Sequence, residues 1–180
     1  MNSADEVTSK SWQPTFPILF VLLLGITTAD QITKSMIVKS LSLGQSITVI
    51  QDFLHFTLVY NSGMAFGLFS SSNIPFKSAL LTILALSATG VVSYYVLQTP
   101  LSERLTRLGL VLVLGGAIGN IIDRIRLGYV VDFIDVFYQN IHWPAFNIAD
   151  SCICIGVGFL IIDNFTAKTK TLPKETNLVS

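Results

Sequence analysis

The sequence predicts an all-α polytopic membrane protein, four transmembrane helices carrying a small extramembrane β platform. Three observations predict it. Hydrophobic residues make up 51% of the chain and charged residues 12%, about half the charged share of an ordinary soluble domain. The apolar residues gather into four segments of nearly bilayer-spanning length. Between them lie stretches rich in β-branched and aromatic residues, which favour strands. No repeat or polar linker divides residues 1–180, so they read as a single membrane domain.

The first span is placed at 13–32, because 19 uncharged residues separate Lys10 from Asp30 and about 20 cross the hydrocarbon. A cleavable signal peptide is the alternative, with Lys10 as its basic flank and Thr27-Thr28-Ala29 before the cut. Its removal would still leave a multispanning chain. Residues 41–69 follow as the strand platform, carried by Ile47-Thr48-Val49-Ile50 and Phe53 to Tyr60. The second span, 77–98, is the clearest, since the 25 residues between Lys77 and Glu103 hold no charge and Pro100 marks the exit.

The third span, 105–123, has only 15 uncharged residues between Arg107 and Asp123, so its helix must extend or carry polar groups below the interface. Its Gly115 and Gly119 form a GxxxG face that admits a neighbouring helix closely. Arg124 to Trp143 reads as a loop whose Val130-Val131, Phe133-Ile134, Phe137-Tyr138 and Trp143 rest in the membrane interface. The fourth span, 144–163, contains Asp150, which lies roughly 9 Å along a helix that starts near Pro144. Met1 to Ser11 and Thr166 to Ser180 read as polar tails.

With 11 basic and 11 acidic residues, the formal net charge is zero and nothing is basic enough to hold nucleic acid. Cys152 and Cys154 point to different faces of a helix and cannot pair with each other. They suit packing; a CxC metal site lacks further cysteines and a nearby histidine. An even number of spans puts Lys10, Arg104, Arg107, Lys168, Lys170 and Lys174 on one side and Lys34, Lys39, Lys77, Arg124 and Arg126 on the other. That narrow excess leans towards cytoplasmic tails.

The informative polar residues sit at the ends of the apolar segments: Asp30, Lys34, Asn61, Asn120, Asp123, Arg124, Asp132, Asn147 and Asp150. Four spans bring those ends to one membrane face, which makes them a candidate site. Asp30 and Lys34 have i,i+4 spacing, suited to an ion pair or to simple helix-end electrostatics. Asn120, Asp123 and Arg124 suit a pocket or a hydrogen-bonded cap. Asn61-Ser62-Gly63-Met64-Ala65-Phe66-Gly67 suits either an ordinary turn or a groove for extended peptide. Asp132 and Asp150 can hold one water and share one proton, or serve separately as a loop acid and a helix-packing acid. A transporter with Asp30, Asp123, Asp132 and Asp150 along its path would need polar groups through the membrane depth. A membrane scaffold would need no acidic pair.

Five motifs in order carry a resemblance: Asp30-Gln31-Ile32-Thr33-Lys34, Asn61 to Gly67, Gly115 to Arg124, Val131-Asp132-Phe133 and Phe146-Asn147-Ile148-Ala149-Asp150. From Phe16 to Asp163 the chain closely resembles the bacterial lipoprotein signal peptidases, or signal peptidase II, which are membrane aspartic proteases. The resemblance implies a catalytic dyad of Asp132 and Asp150, with Asp123 in support. It makes Asp30, Lys34, Asn61, Gly63, Asn120, Arg124, Asn147 and Ala149 organisers of the substrate pocket. It implies endopeptidase cleavage of diacylglyceryl-modified prolipoproteins before the lipid-modified cysteine, with no metal or organic cofactor, and sensitivity to globomycin. It further implies a multi-pass protein of the bacterial cytoplasmic (inner) membrane, with both termini cytoplasmic and the active site near the outer leaflet. The expected partners are prolipoproteins and membrane phospholipid, with no nucleic acid, and a monomer is expected.

Overall fold

The computed structural model describes residues 15–63 and 76–171. Its elements run α1 (Thr15–Ser40), β1 (Ser46–Ile50), β2 (Leu54–Asn61), α2 (Lys77–Gln98), α3 (Arg104–Leu127), β3 (Val130–Tyr138), β4 (Ile141–His142) and α4 (Ile148–Thr171). All four helices are long and apolar enough to cross a bilayer.

Burial ranks them. In an apolar 18-residue stretch of α3 56% of residues are buried, against 6% in that of α2, so α3 is the post around which the bundle forms and α2 faces chiefly outwards. A lipid-facing helix must satisfy its own polar groups. In α2 the hydroxyls of Thr82, Ser87, Thr89 and Ser93 each donate to the carbonyl four residues earlier. In α3 the glycines permit contact on two sides. A Cβ on Gly119 would stand 2.6 Å from Asp30 Oδ2, and one on Gly116 would strike the Ala149 carbonyl. Gly115 meets Ile26 of α1. The GxxxG pair therefore seats α1, and Gly116 seats α4. At the far end of the α3–α4 pair the Thr106 hydroxyl donates to Asp163.

The sheet is antiparallel in the order β1-β2-β3-β4. It rests on the end of α1, where Leu41, Leu58 and Val131 form a buried cluster joined by Ile37, Tyr60 and Tyr129. Tyr60 and Tyr129 stack at 4.3 Å.

Several boundaries differ from those expected. The stretch from Arg124 to Trp143 is not an interfacial loop: α3 continues to Leu127, Gly128 ends it at φ 82°, and β3 follows. Val130 to Phe133 are all buried, so β3 lacks the in-out alternation that marks a half-exposed strand. The platform thus extends beyond 41–69, and its Met64 to Phe69 portion lies outside the described residues. Helix α1 runs past Ile32 to Ser40 and carries Asp30 and Lys34 within it. Helix α4 starts at Ile148, not Pro144, because residues before it run along β3: Trp143 N–H donates to the Val136 carbonyl and Phe146 N–H to the Ile134 carbonyl. Asp150 is therefore in the first turn, only about 3 Å along the axis.

Close approach at Gly116 gives a stability prediction. Gly116→Ala drives a Cβ into backbone that cannot rotate away and should destabilise the bundle by about 1–3 kcal/mol. Gly90→Ala, with nothing within 4 Å, should not. Thermal unfolding of both variants in one detergent measures the difference.

Candidate active site

The polar residues that end the apolar segments meet beneath the sheet. Asp30, in α1, has no exposed surface, and its Oδ2 lies 2.8 Å from Lys34 Nζ. Lys34 Nζ also stands 2.9 Å from Asp123 Oδ2 of α3 and donates to Asn120 Oδ1 at 3.0 Å. One ammonium thus serves two carboxylates and an amide. Removing one partner of such a buried ion pair costs about 3–5 kcal/mol, because the remaining charge has no water to turn to.

Each carboxylate of this knot also grips backbone. Asp30 Oδ1 accepts the Ala149 N–H at 3.0 Å, filling a donor at the start of α4 that the helix itself leaves unpaired. Asp123 Oδ2 accepts the Val131 N–H at 3.1 Å and so sets the start of β3. Gln31 Nε2 donates to Asp123 Oδ1 at 2.9 Å and to the Gly119 carbonyl at 3.1 Å. Gln31 lies within a quoted motif yet carried no assigned role; an amide on the inward face of an extended α1 was the available signal.

From the knot, two asparagines lead to the acids. Asn120 Nδ2 donates to Asp150 Oδ1 at 2.8 Å. Asn147, fully buried, donates through Nδ2 to Asp132 Oδ1 at 2.7 Å, while its Oδ1 accepts the Asp150 N–H at 2.9 Å as the N-cap of α4. The second oxygen of Asp132 accepts from Asn61 Nδ2 at 2.9 Å. Asn61 Oδ1 in turn accepts the Gly63 N–H at 2.9 Å, and the Gly63 carbonyl accepts from Arg124 at 3.4 Å. Every candidate site residue from the sequence is in this network. Met64 to Gly67 of the Asn61 motif lie outside the described residues.

Asp132 and Asp150 come from separate elements, a central strand and a helix start. Burial, reinforced by the negative charge of Asp150, raises the Asp132 carboxyl from its ordinary 3.8 to about 7, against the opposing pull of the Asn61 and Asn147 hydrogen bonds and of Lys34. A cavity of about 400 Å³ opens beside them, bordered by Asn61, Asn120, Arg124 and Asp150 and by apolar Val130 and Phe146. It brings the Asp150 carboxyl, a cation and an apolar wall together. Among the described residues no group of His, Cys, Asp or Glu is arranged to hold a metal ion, and Cys152 and Cys154 are both free thiols. The site's acids gather at one end of the bundle, which is not the distribution through depth that a transport path requires.

A family model described as signal peptidase (SPase) II matches residues 22–166. The chain is 41% identical over 147 residues to the lipoprotein signal peptidase of Syntrophus aciditrophicus (strain SB), covering 81% of this chain and 91% of that protein. It is 37% identical over 161 residues to the lipoprotein signal peptidase of Geobacter sulfurreducens, covering 89% and 99%. A solved structure described as a bacterial membrane enzyme superposes with a TM-score of 0.77 at 29% identity, covering 89% of this chain and 95% of that one.

The environment of Asp132 predicts a pH effect on stability. Between 3.8 and about 7 the native protein holds a proton at Asp132 that the unfolded chain releases, so this residue's contribution to stability falls as pH rises through that window. Infrared difference spectra against Asp132→Asn should show a protonated carboxyl band that disappears near neutrality, and the variant should lose this part of the pH dependence of unfolding.

Proposed function

This chain belongs to the signal peptidase II family, and on that premise we propose that it is an aspartic endopeptidase that removes signal peptides from diacylglyceryl-modified prolipoproteins, cutting before the lipid-modified cysteine. The observation that carries the reading is Asn147, a single buried amide bonded both to the Asp132 carboxylate and to the backbone of Asp150 beside an apolar-walled cavity.

In the proposed reaction Asp132 and Asp150 share one proton. The ionised carboxylate takes a proton from a water held between them as the water oxygen attacks the scissile carbonyl carbon. The protonated carboxyl gives its proton to the carbonyl oxygen. When the neutral tetrahedral adduct collapses, the acid that took the water's proton gives it to the nitrogen of the modified cysteine as the C–N bond breaks, and an adduct hydroxyl returns a proton to the other carboxylate. Products are the signal peptide's carboxylate and the cysteine's free amine. Asn61, Asn120 and Asn147 hold the two acids, Lys34, Asp30 and Asp123 hold the asparagines and the adjoining backbone, and Arg124 fixes the Gly63 turn. The chemistry needs no metal or organic cofactor.

The proposed setting is the bacterial inner membrane, with both termini cytoplasmic and the dyad near the outer leaflet. A site in the first turn of α4 suits a substrate whose signal helix lies in the hydrocarbon while its acyl chains remain in the leaflet. Each buried CH₂ is worth about 0.8 kcal/mol, so lipid supplies binding energy without touching the reacting atoms. The protein is proposed to work as a monomer among phospholipids and to be sensitive to globomycin.

Asp132→Asn and Asp150→Asn should each lower kcat on a diacylglyceryl-modified precursor by at least about a hundredfold, with the product identified by mass. Full processing by either variant at equal expression would overturn the dyad. The same precursor without diacylglycerol should show a much lower kcat/KM, and equal values would refute lipid-guided placement.

Reporter fusions after Ser180 and in the Pro100 loop should behave as cytoplasmic, and one at Asn140 as external. An external C-terminal reporter would overturn the topology.

A further inference from the structure

The sheet carries a second polar cluster that the dyad network does not use. The Thr57 hydroxyl donates to Asp135 Oδ2 at 3.1 Å, and His142 Nδ1 lies 2.8 Å from Asp135 Oδ1. Ser46 Oγ and Thr57 Oγ1 are 2.8 Å apart. The His142 ring stacks on Phe137, with centroids 4.9 Å apart and planes 14° apart. The Asp135 side chain is largely buried while that of His142 is half exposed. Three strands, β2, β3 and β4, thus hold one carboxylate rigidly at the rim of the platform.

Thr57, Val59, Asp135 and His142 line a cavity of about 310 Å³ together with the segment from Trp143 to Ala145. That same segment walls the cavity beside Asp150. Val59 is the strand partner of Asp132. The two cavities are therefore neighbours, divided by three residues and joined along the strand that carries the dyad's first acid.

Their chemistry differs. The first places Arg124 and two asparagines beside Asp150, whereas in the second the charged group is Asp135, with Thr57 and His142 around it. A carboxylate has about four acceptor sites, and Thr57 and His142 use two. Such a site suits a group with N–H or O–H donors and disfavours a second carboxylate. The volume lies at the lower end of the roughly 300–1,000 Å³ range of small-ligand pockets, enough for a side chain with its flanking backbone.

We propose that this cavity is the subsite for the residue that follows the lipid-modified cysteine of the precursor, and that Asp135, held by Thr57 and His142, selects side chains bearing a hydroxyl or ammonium group over carboxylates. The inference rests on the proposed peptidase activity. The apolar signal helix belongs in the hydrocarbon, so the polar chain beyond the scissile bond is the part that meets the extramembrane sheet. Asp132 and Asp135 are three residues apart on a strand, about 10 Å. In an extended substrate the second residue past the bond has its Cα about 7 Å away, with its side chain reaching further.

The test uses the full chain in detergent with diacylglyceryl-modified precursors that differ only at the residue after the modified cysteine: Ser, Lys, Ala or Glu. The wild type should process the Lys precursor with a kcat/KM at least about tenfold above that of the Glu precursor, as expected for a charge-assisted hydrogen bond against repulsion, with Ser above Ala. Asp135→Asn should bring the Lys-to-Glu ratio close to one, and His142→Gln should narrow it. Equal wild-type values, or a ratio that neither variant changes, would overturn the subsite. If Asp135→Asn fails to fold, His142→Gln and Thr57→Val decide by the same ratio. Failure of the wild type on all four precursors would overturn the peptidase reading itself, a different outcome from equal processing of all four.

Discussion

A buried ammonium ion must be surrounded by acceptors, and the site's architecture follows from how Lys34 meets that demand. Its three contacts are Asp30 on its own helix and Asp123 and Asn120 on α3. With α1 and α3 joined, the same two carboxylates also take up backbone, Asp30 through its other oxygen the Ala149 N–H at the head of α4, and Asp123 through the Oδ2 that meets Lys34 the Val131 N–H at the head of β3. These are the two elements that deliver Asp150 and Asp132. Helix packing in lipid lacks a hydrophobic drive between apolar faces, so polar ties of this kind can determine register where greasy surfaces cannot. The glycines are the steric counterpart, because Gly119 makes room for the Asp30 carboxylate itself.

The protein therefore divides into two physical regimes. Away from the knot, α2 and the outward faces of α1 and α4 expose large apolar side chains such as Phe20, Ile83, Leu84 and Ile161, which is costly in water and natural in hydrocarbon. Inside the knot nearly every polar atom has a named partner. Asn147 illustrates the economy of the arrangement: its amide donates to Asp132 and its carbonyl oxygen caps α4, so orientation of its side chain is settled at both ends.

This division explains what was legible in the sequence. Spans announce themselves by length and lack of charge, and a run such as Leu80 to Leu97 has few other readings. The candidate residues were legible because polar groups at the ends of apolar segments stand out, and their ordered motifs carried the resemblance. Two features were hidden. Strand β3 was hidden because Val130 to Phe133 are buried together, leaving a short apolar run with an acid in it instead of an alternating pattern. The continuation of α1 past Ile32 was hidden because Asp30, Gln31 and Lys34 resemble the polar end of a span, although in the fold they turn inward to one another and to α3. Asp135 and His142 went unread for a related reason: their pairing exists only once β3 and β4 form a hairpin, which a loop reading of that stretch excludes.

Placing the two acids on different kinds of element has a mechanical consequence. Two carboxylates that share a proton repel each other whenever both are ionised, and on one flexible loop they would separate. Asp132 is held in a strand paired on both sides, with an amide donor on each oxygen. Asp150 lies in the first turn of α4, where the partial positive charge of the helix start favours a carboxylate. Neither acid can relax without moving an element that is tied, through Asp30 or Asp123, to Lys34. The cost of fixing both acids on tied elements is therefore met during folding by the buried ion cluster, before any substrate arrives. In the proposed reaction, preorganisation of this kind lets the carboxyl pair act on a bound water with little further rearrangement.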